Sequence, residues 1–445
     1  LITYPDMPTH ALKFTFLIWS LFFAMSVQAG VKTSLVAEGF SLVSNDYDLS
    51  PKTFALLGLN LRSEATSDKF KIDFAGRYAS SSNVLSYVNV REISYRFDTG
   101  ETSALYAGRR LMNWSAIDNI WNLGVIQPQF KWNQLNPQNQ GLTGLFWEQN
   151  EVGWGYTLFA SPLYIPDQGA GYEIKDGQFQ SGNPFFRAPP QNIRFQGQLL
   201  PIDYNIHRPE ASEVVSQSMF GAQFRWGEEN GYFARIAGIY KPSNQLALGY
   251  KGILVTTRVR VDVLPKTYYE ADYSLDAGYR AEWGYAQLAV VATNPKSPEF
   301  DPAYNHPVFE SAVSAGPQFV YRWEPFQFLL AHIETSGGAV KDEGPDVGPN
   351  QQSLSERFLV RQANLVKVAY SEVYKKMVRW NSSAHFKFST KEKFREIRVK
   401  NALSFKQPWS VWLDVILVDT DSAVDSNYES YKNFDQAWLG ASYDF

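Results

Sequence analysis

Cysteine is absent from all 445 residues. That excludes disulfides, thiolate metal sites and a lipid-modified N-terminal cysteine, but not an oxidising compartment, because a large enough sheet needs no covalent staple. Histidine is scarce, at five residues. His207, His306 and His332 have no second histidine or carboxylate at metal-ligand spacing. Charged residues are 19 % of the chain, below the usual ~25 %, and the formal net charge of −4 points to no nucleic-acid partner. No glycine-rich phosphate loop follows a strand, and no G-x-S-x-G elbow occurs. Asp419, Asp421 and Asp425, like Asp342, Glu343 and Asp346, cluster without EF-hand spacing and read as solvated acidic loops rather than Ca²⁺ sites. No cofactor and no metal is expected.

Long apolar runs are lacking too, with one exception. "FTFLIWSLFFAM", Phe14 to Met25, follows His10 and Lys13 and precedes "SVQAG", with Val27 and Ala29 as the small pair before Gly30. A basic stretch, a short apolar core and an A-x-A-like site make a secretory signal peptide, and the run is shorter than the ~20 residues of a helical span. The expected organisation is a start at Met7, upstream sequence plus signal over 1–29, and an exported single domain over 30–445. A mean hydropathy of −0.29 excludes a bundle of membrane helices.

What the chain does have is aromatics, 16 % of it, and period-two alternation from end to end. Val255, Val259, Val261 and Val263 share one face, with Arg258, Arg260 and Asp262 on the other. Val378, Trp380, Ala384, Phe386 and Phe388 oppose Arg379, Asn381, Ser383, His385 and Lys387; Ile397, Val399 and Leu403 oppose Glu396, Arg398 and Lys400. Such strands, about ten residues long and one face apolar, fit a soluble sandwich or a transmembrane barrel. Two features favour the barrel. Aromatics gather near strand ends (Trp409, Trp412, Tyr428, Tyr431, Phe434, Trp438, Tyr443, Phe445) as interfacial girdles do, and roughly twenty strands run without a domain linker.

The chain closes on "WLGASYDF". Gly440, Tyr443 and Phe445 match the spacing of the terminal strand of Gram-negative outer-membrane β-barrel proteins, with Trp438 departing from the polar residue usual before the glycine. With the signal peptide and the alternation, the exported chain resembles that class, porin-like members included. The resemblance implies an all-β, single antiparallel barrel in the outer membrane, long outer loops folded into its mouth, and recognition of the terminus by the barrel-assembly machinery. Outer-membrane lipid and lipopolysaccharide, small solutes and envelope proteins are the partners such a barrel would meet. Ser383 and His385 share a face, but a lipid hydrolase needs that pair toward the bilayer, and their phase points inward; no enzyme is expected.

Strand parity gives 18 or 20 strands, the ambiguity lying in 242–266. "DTGET", "EENG", "RAEW", "RWEP" and "YKK" fall on the short-turn side; 113–141 and 162–215 are the longest outer segments. The first holds Trp114, Trp121, Asn122, Gln127, Trp132, Asn133 and Gln134 as a candidate constriction whose indoles and amides would also suit sugars. Arg62, Lys71, Arg77, Arg225, Arg258, Arg260, Arg361, Lys367, Arg379, Lys387, Arg398 and Lys400 are assigned to the luminal face, against Asp73, Asp262 and Glu396. A one-signed wall focuses potential and favours anions. The expectation is therefore a passive, anion-preferring channel. The alternatives are that loop acids such as Asp167, Glu173 and Asp176 neutralise these bases, or that the barrel is plugged and serves as an anchor or export component.

Overall fold

The computed structural model describes residues 30–42, 53–63, 69–227, 229–347, 353, 357–406, 408–421, 431–432 and 434–445. The signal-peptide expectation, the 44–51 segment, Asp425, Tyr428 and most of 421–433 lie outside them.

Eighteen strands form one sheet. They are β1 (Val31–Leu42), β2 (Thr53–Ser63), β3 (Phe70–Tyr78), β4 (Tyr87–Asp98), β5 (Ser103–Arg110), β6 (Leu142–Glu151), β7 (Trp154–Ser161), β8 (Met219–Gly227) and β9 (Gly231–Pro242). Then follow β10 (Tyr269–Ala281), β11 (Gly284–Pro295), β12 (Ala312–Trp323), β13 (Phe326–Gly337), β14 (Gln362–Tyr374), β15 (Val378–Ser389), β16 (Phe394–Phe405), β17 (Trp409–Thr420) and β18 (Gln436–Asp444). Consecutive strands pair antiparallel throughout, and β18 pairs with β1, Leu35 opposite Tyr443 and Phe40 opposite Trp438. The sheet is a closed 18-stranded barrel, which leaves no unpaired edge for another chain to join. The terminus is part of the wall: the Phe445 N–H donates to the Thr33 carbonyl at 2.9 Å, and Lys32 pairs with Asp444 at 2.9 Å.

Alternation sets the faces. Leu35, Leu275, Leu288, Ile397, Val399 and Leu439 point outward and are exposed, while Phe40, Ile239, Ala289, Ile333 and Ile416 point inward and are buried. An uncovered apolar exterior around a filled interior is the architecture of an outer-membrane barrel. No helix among the described residues is long and apolar enough to cross a membrane. At the short-turn end the outward aromatics include Trp154, Trp226, Tyr232, Tyr279, Trp323, Trp409, Tyr443 and Phe445, all exposed except the half-buried Tyr443.

Four girdle assignments are corrected. Trp412 and Trp438 share the phase of the luminal residues: Trp412 lies opposite Gly440, and Trp438 opposite Phe40, on whose ring it stacks at 4.3 Å. Proximity in sequence to the strand end suggested an interface; parity decides otherwise. The Trp412 ring explains the glycine of the terminal motif, since a Cβ on Gly440 would sit 2.2 Å from its indole. Tyr431 and Phe434 are also not in the girdle, being buried beyond the strand ends.

The 242–266 ambiguity resolves to 18 because that segment leaves the wall. Ala247–Val255 and Arg258–Lys266 form a hairpin joined to Gln198–Ile206 and Asn192–Phe195 as a separate four-stranded sheet on the long-loop side. Arg258, Arg260 and Asp262 therefore do not line the pore. Alternation reports a half-covered sheet and says nothing of which sheet; here Ile202 to Ile206 pair in parallel with Val259 to Val263. Arg361 is corrected too: it precedes β14 and donates to the Gly337 carbonyl at the rim.

Candidate functional site

The segment between β5 and β6 folds into the barrel. Its helix α1 (Ala116–Trp121) starts at Ser115, whose Oγ accepts from the Asp118 N–H at 3.4 Å, and stops at Asn122 in the left-handed region (φ 50°). Asp118 is buried and accepts from the Val125 and Ile126 N–H groups at 3.1 and 3.0 Å, which rolls the following chain back over the helix. Burial pushes its carboxyl above the ordinary range, against the pull of those two donors.

Both ends of the segment are latched to the wall. On one side Ala116 N–H donates to Asp276 of β10, Ser274 Oγ donates to the Trp114 carbonyl at 2.6 Å, and Gln223 of β8 donates to the Asn113 carbonyl at 2.9 Å. On another, Asn133 donates to Gln436 of β18 at 2.7 Å, and Arg398 of β16 donates to Asn136 at 2.9 Å. The segment between β7 and β8, which carries α2 (Ala211–Val215), supports it from the loop side: Asp167 accepts from Gln129 N–H and pairs with Lys131, each at 2.7 Å.

This architecture redistributes the candidate constriction. Trp114, Trp121 and Trp132 are 1 %, 3 % and 4 % exposed, so their indoles form the loop's own core and offer no stacking platform to a sugar. Trp132 packs among Phe40, Tyr87, Phe185 and Trp438. Gln127 is buried accepting from Met112 N–H, and Asn133 is spent on its latch. Asn122 and Gln134 do border open space, as does one edge of Trp121.

That space is a cavity of about 660 Å³. One part of its wall is strand: Lys367 of β14, His385 and Lys387 of β15, and Glu396 and Arg398 of β16. The rest is loop, with Asn119, Gln129, Lys131, Gln134 and Asn136; Arg187, Gln245, Arg357 and Tyr431 also border it. The Arg187 guanidinium sits 3.7 Å over the Tyr431 ring. Asn119 and Ile120 also border a second cavity of about 320 Å³, toward the short-turn end. The two open spaces thus meet at the 119–120 edge of α1. Sequence reading missed both residues, because nothing local distinguishes a loop's pore edge from its core.

The charges are more balanced than the sequence suggested. His385 and Lys387 approach the two oxygens of Glu396 at 3.0 and 2.9 Å, and Arg398 forks onto Asp414 with one contact at 2.8 Å. Arg77 bonds Glu38 at 2.7 Å, and Arg225 bonds Asn150 at 2.6 Å with Glu148 at 4.0 Å. Luminal acids the sequence reading omitted, including Glu38, Glu148, Glu270, Asp272, Asp276 and Asp414, do most of this pairing; of the three loop acids considered, Asp167 pairs with a loop base, Lys131. Lys367 and Lys400 differ. Among the described residues neither forms an ion pair; the register sets Lys367 opposite His385, which faces Arg398, and Lys400 between Ser383 and Asp414, whose carboxylate Arg398 holds. Arg62, Lys71 and Arg379 share the luminal phase nearer the short-turn end.

No family description and no curated protein matches the sequence. Among solved structures, the outer membrane protein OpdK of Pseudomonas aeruginosa is similar over 93 % of this chain and 98 % of its own, at 12 % identity and a TM-score of 0.43. A BenF-like porin from Pseudomonas fluorescens Pf-5 is similar over 94 % and 99 %, at 9 % identity and 0.47. For OccAB3 of Acinetobacter baumannii the values are 93 %, 99 %, 11 % and 0.42. At such identities no residue role passes from these proteins to this chain, whose functional reading rests on its own lumen.

Proposed function

We propose that this barrel is a porin-like outer-membrane channel through which small solutes diffuse passively, anions in preference. The observation that supports this reading most is the 660 Å³ cavity lined by Lys367, Lys387 and Arg398, which shares Asn119 and Ile120 with the lining of the second cavity below. Two ammonium groups outside any ion pair, in a low-dielectric shell, raise the local concentration of anions, and rings of Lys and Arg select for them. Assembly would proceed through the barrel-assembly machinery acting on the strand that ends in Gly440, Tyr443 and Phe445.

Planar-bilayer recording tests the reading. Open channels should reverse at potentials favouring anions, and Lys367→Gln with Lys400→Gln should weaken that preference without loss of the barrel. These two lysines are the better choice over Lys387 and Arg398, whose removal would strand Glu396 and Asp414. The preference should shrink in molar salt, where the screening length falls to about 3 Å. Cation preference in the wild type would sink the anion assignment. Protein that stays silent until 162–215 is removed would favour a plugged anchor, a reading supported by the double latching of the inner loop.

A further inference from the structure

The outer face of the wall carries an open groove of about 720 Å³ across β10–β15. Ala286 and Pro317 are small and exposed there, and Leu288, Phe319, Leu330 and Val366 stand around them, also exposed. Register sets the groove between two rows of outward residues. In the first, Leu288 lies opposite Pro317, and His332 lies opposite Asn364, which faces Phe388. One outward step nearer the short turns, Ala286, Phe319, Leu330 and Val366 follow one another across β11–β14.

The first row is unusual for a surface that meets lipid. The His332 Nδ1–H donates to Asn364 Oδ1 at 3.0 Å. Among the described residues this leaves His332 Nε2, an acceptor, and the Asn364 amide N–H groups without a partner. Beside them the β12–β13 ladder lapses at Gly316 and Pro317, between the Ala315–Glu334 and Gln318–Ala331 pairs, where proline supplies no N–H. Polar groups on a lipid-facing wall are costly unless something hydrogen-bonds them. Two residues beyond His332, Glu334 is exposed and pairs with Lys391 at 3.2 Å. Charge on the outer face belongs at the membrane boundary. The His332–Asn364 pair thus lies one step beneath that boundary, roughly 7 Å along the strand, in the leaflet on the long-loop side.

We propose that this groove, continuous with the lipid-facing wall, holds one amide-linked acyl chain of an outer-leaflet lipid, the class to which lipopolysaccharide belongs. An amide offers its N–H to His332 Nε2 and its carbonyl to the Asn364 amide, and the chain then runs down over Phe319, Leu330 and Val366. The ester of a glycerophospholipid has acceptors only and satisfies half of the pair. The inference rests on the barrel's place in the outer membrane and not on what crosses its lumen.

Native mass spectrometry of the full barrel, solubilised in detergent with lipid A or with dipalmitoyl phosphatidylethanolamine, tests it. The wild type should retain lipid A in preference. Retention should fall about tenfold in His332→Leu/Asn364→Leu, as the loss of two hydrogen bonds implies. Ala286→Trp, which fills the groove and keeps the polar pair, should lower it as much. Retention equal to wild type in either variant, with heat-modifiable gel mobility showing a folded barrel, overturns the site. Phosphatidylethanolamine retained as well as lipid A overturns the amide assignment. Wild-type dimers that the Leu variant disperses would give the groove to a second copy of the chain and overturn the lipid.

Discussion

Two stretches of the same wall carry charge in opposite ways. On β9–β11, Lys241, Asp272 and Asp276 are 0 %, 0 % and 1 % exposed; Lys241 lies 2.9 Å from Glu270 and 3.4 Å from Asp272, and Arg357 reaches Glu270 at 2.8 Å. These groups are sealed beneath the inner loop and serve to hold it. On β14–β16 Lys367, Lys387 and Arg398 border the cavity, and among the described residues Lys367 and Lys400 form no ion pair, the Asp414 carboxylate opposite Lys400 being held by Arg398. A count of charges by strand face treats the two stretches alike. What separates them is cover: under a loop a charge must be paired or it destabilises the fold, whereas beside a wet cavity it stays solvated and acts on whatever passes.

The largest expected effect breaks the sealed stretch. Lys241→Met leaves Glu270 and Asp272 buried with Arg357 alone to balance them, and should cost about 3–5 kcal/mol. Chemical unfolding of the barrel in detergent measures it, and a midpoint equal to wild type would show that the network is not holding the loop. Next comes the orientation of the open stretch. Val399 is exposed on the outer face of β16, so Val399→Arg should cost about 2–4 kcal/mol near the membrane midplane and lower the amount assembled. Its neighbour Lys400 faces water, and Lys400→Arg should change stability by less than about 0.5 kcal/mol. Equal damage from the pair would reverse the inside and outside of β14–β16. The smallest effect concerns the bases outside the wall altogether. Arg258 and Arg260 are about half exposed on the loop hairpin, so Arg258→Gln with Arg260→Gln should leave the unfolding midpoint at the wild-type value. It should also move the reversal potential less than the Lys367 and Lys400 substitutions do. A larger shift would place the hairpin in the ion path.

Much of the barrel is legible in sequence because its strands are long and amphipathic. The lipid-facing set of β16, Ile397, Val399 and Leu403, follows directly from alternation, and so does the luminal set Glu396, Arg398 and Lys400. β10 shows where that reading thins. Asp272, Ser274 and Asp276 alternate with Tyr273, Leu275 and Ala277 as regularly as any stretch of the chain, yet the acids mattered only once the loop they latch was known. The hairpin at 247–266 shows a harder limit, since an extracellular sheet packed on one side writes the same pattern as a barrel wall.

The constriction was located as a segment and only in part as residues, since Asn122 and Gln134 border the cavity and Trp114, Gln127, Trp132 and Asn133 do not. Composition singled out 113–141 for its tryptophans and amides, and that segment does fold inward. Its tryptophans turned out to be the loop's own core, while the edge where the two cavities meet is Asn119 and Ile120. A loop has no period to separate its covered side from its open one.

By itself the sequence determined the class of sheet, the short-turn and long-loop ends, the facing of the regular strands and the incorporation of Phe445 in the wall, because each depends on a two-residue period or on local turn chemistry. Tertiary structure alone decided the count of 18, the exclusion of Arg258 and Arg260 from the pore, and the pairing of Arg398 with Asp414 and of Lys241 with Glu270. It also decided that Lys367 and Lys400 stand outside the ion pairs that hold Lys387 and Arg398. Those outcomes depend on which strand lies beside which, and on what the inner loop covers. Both are contacts between residues tens to hundreds of positions apart, and no local pattern encodes them.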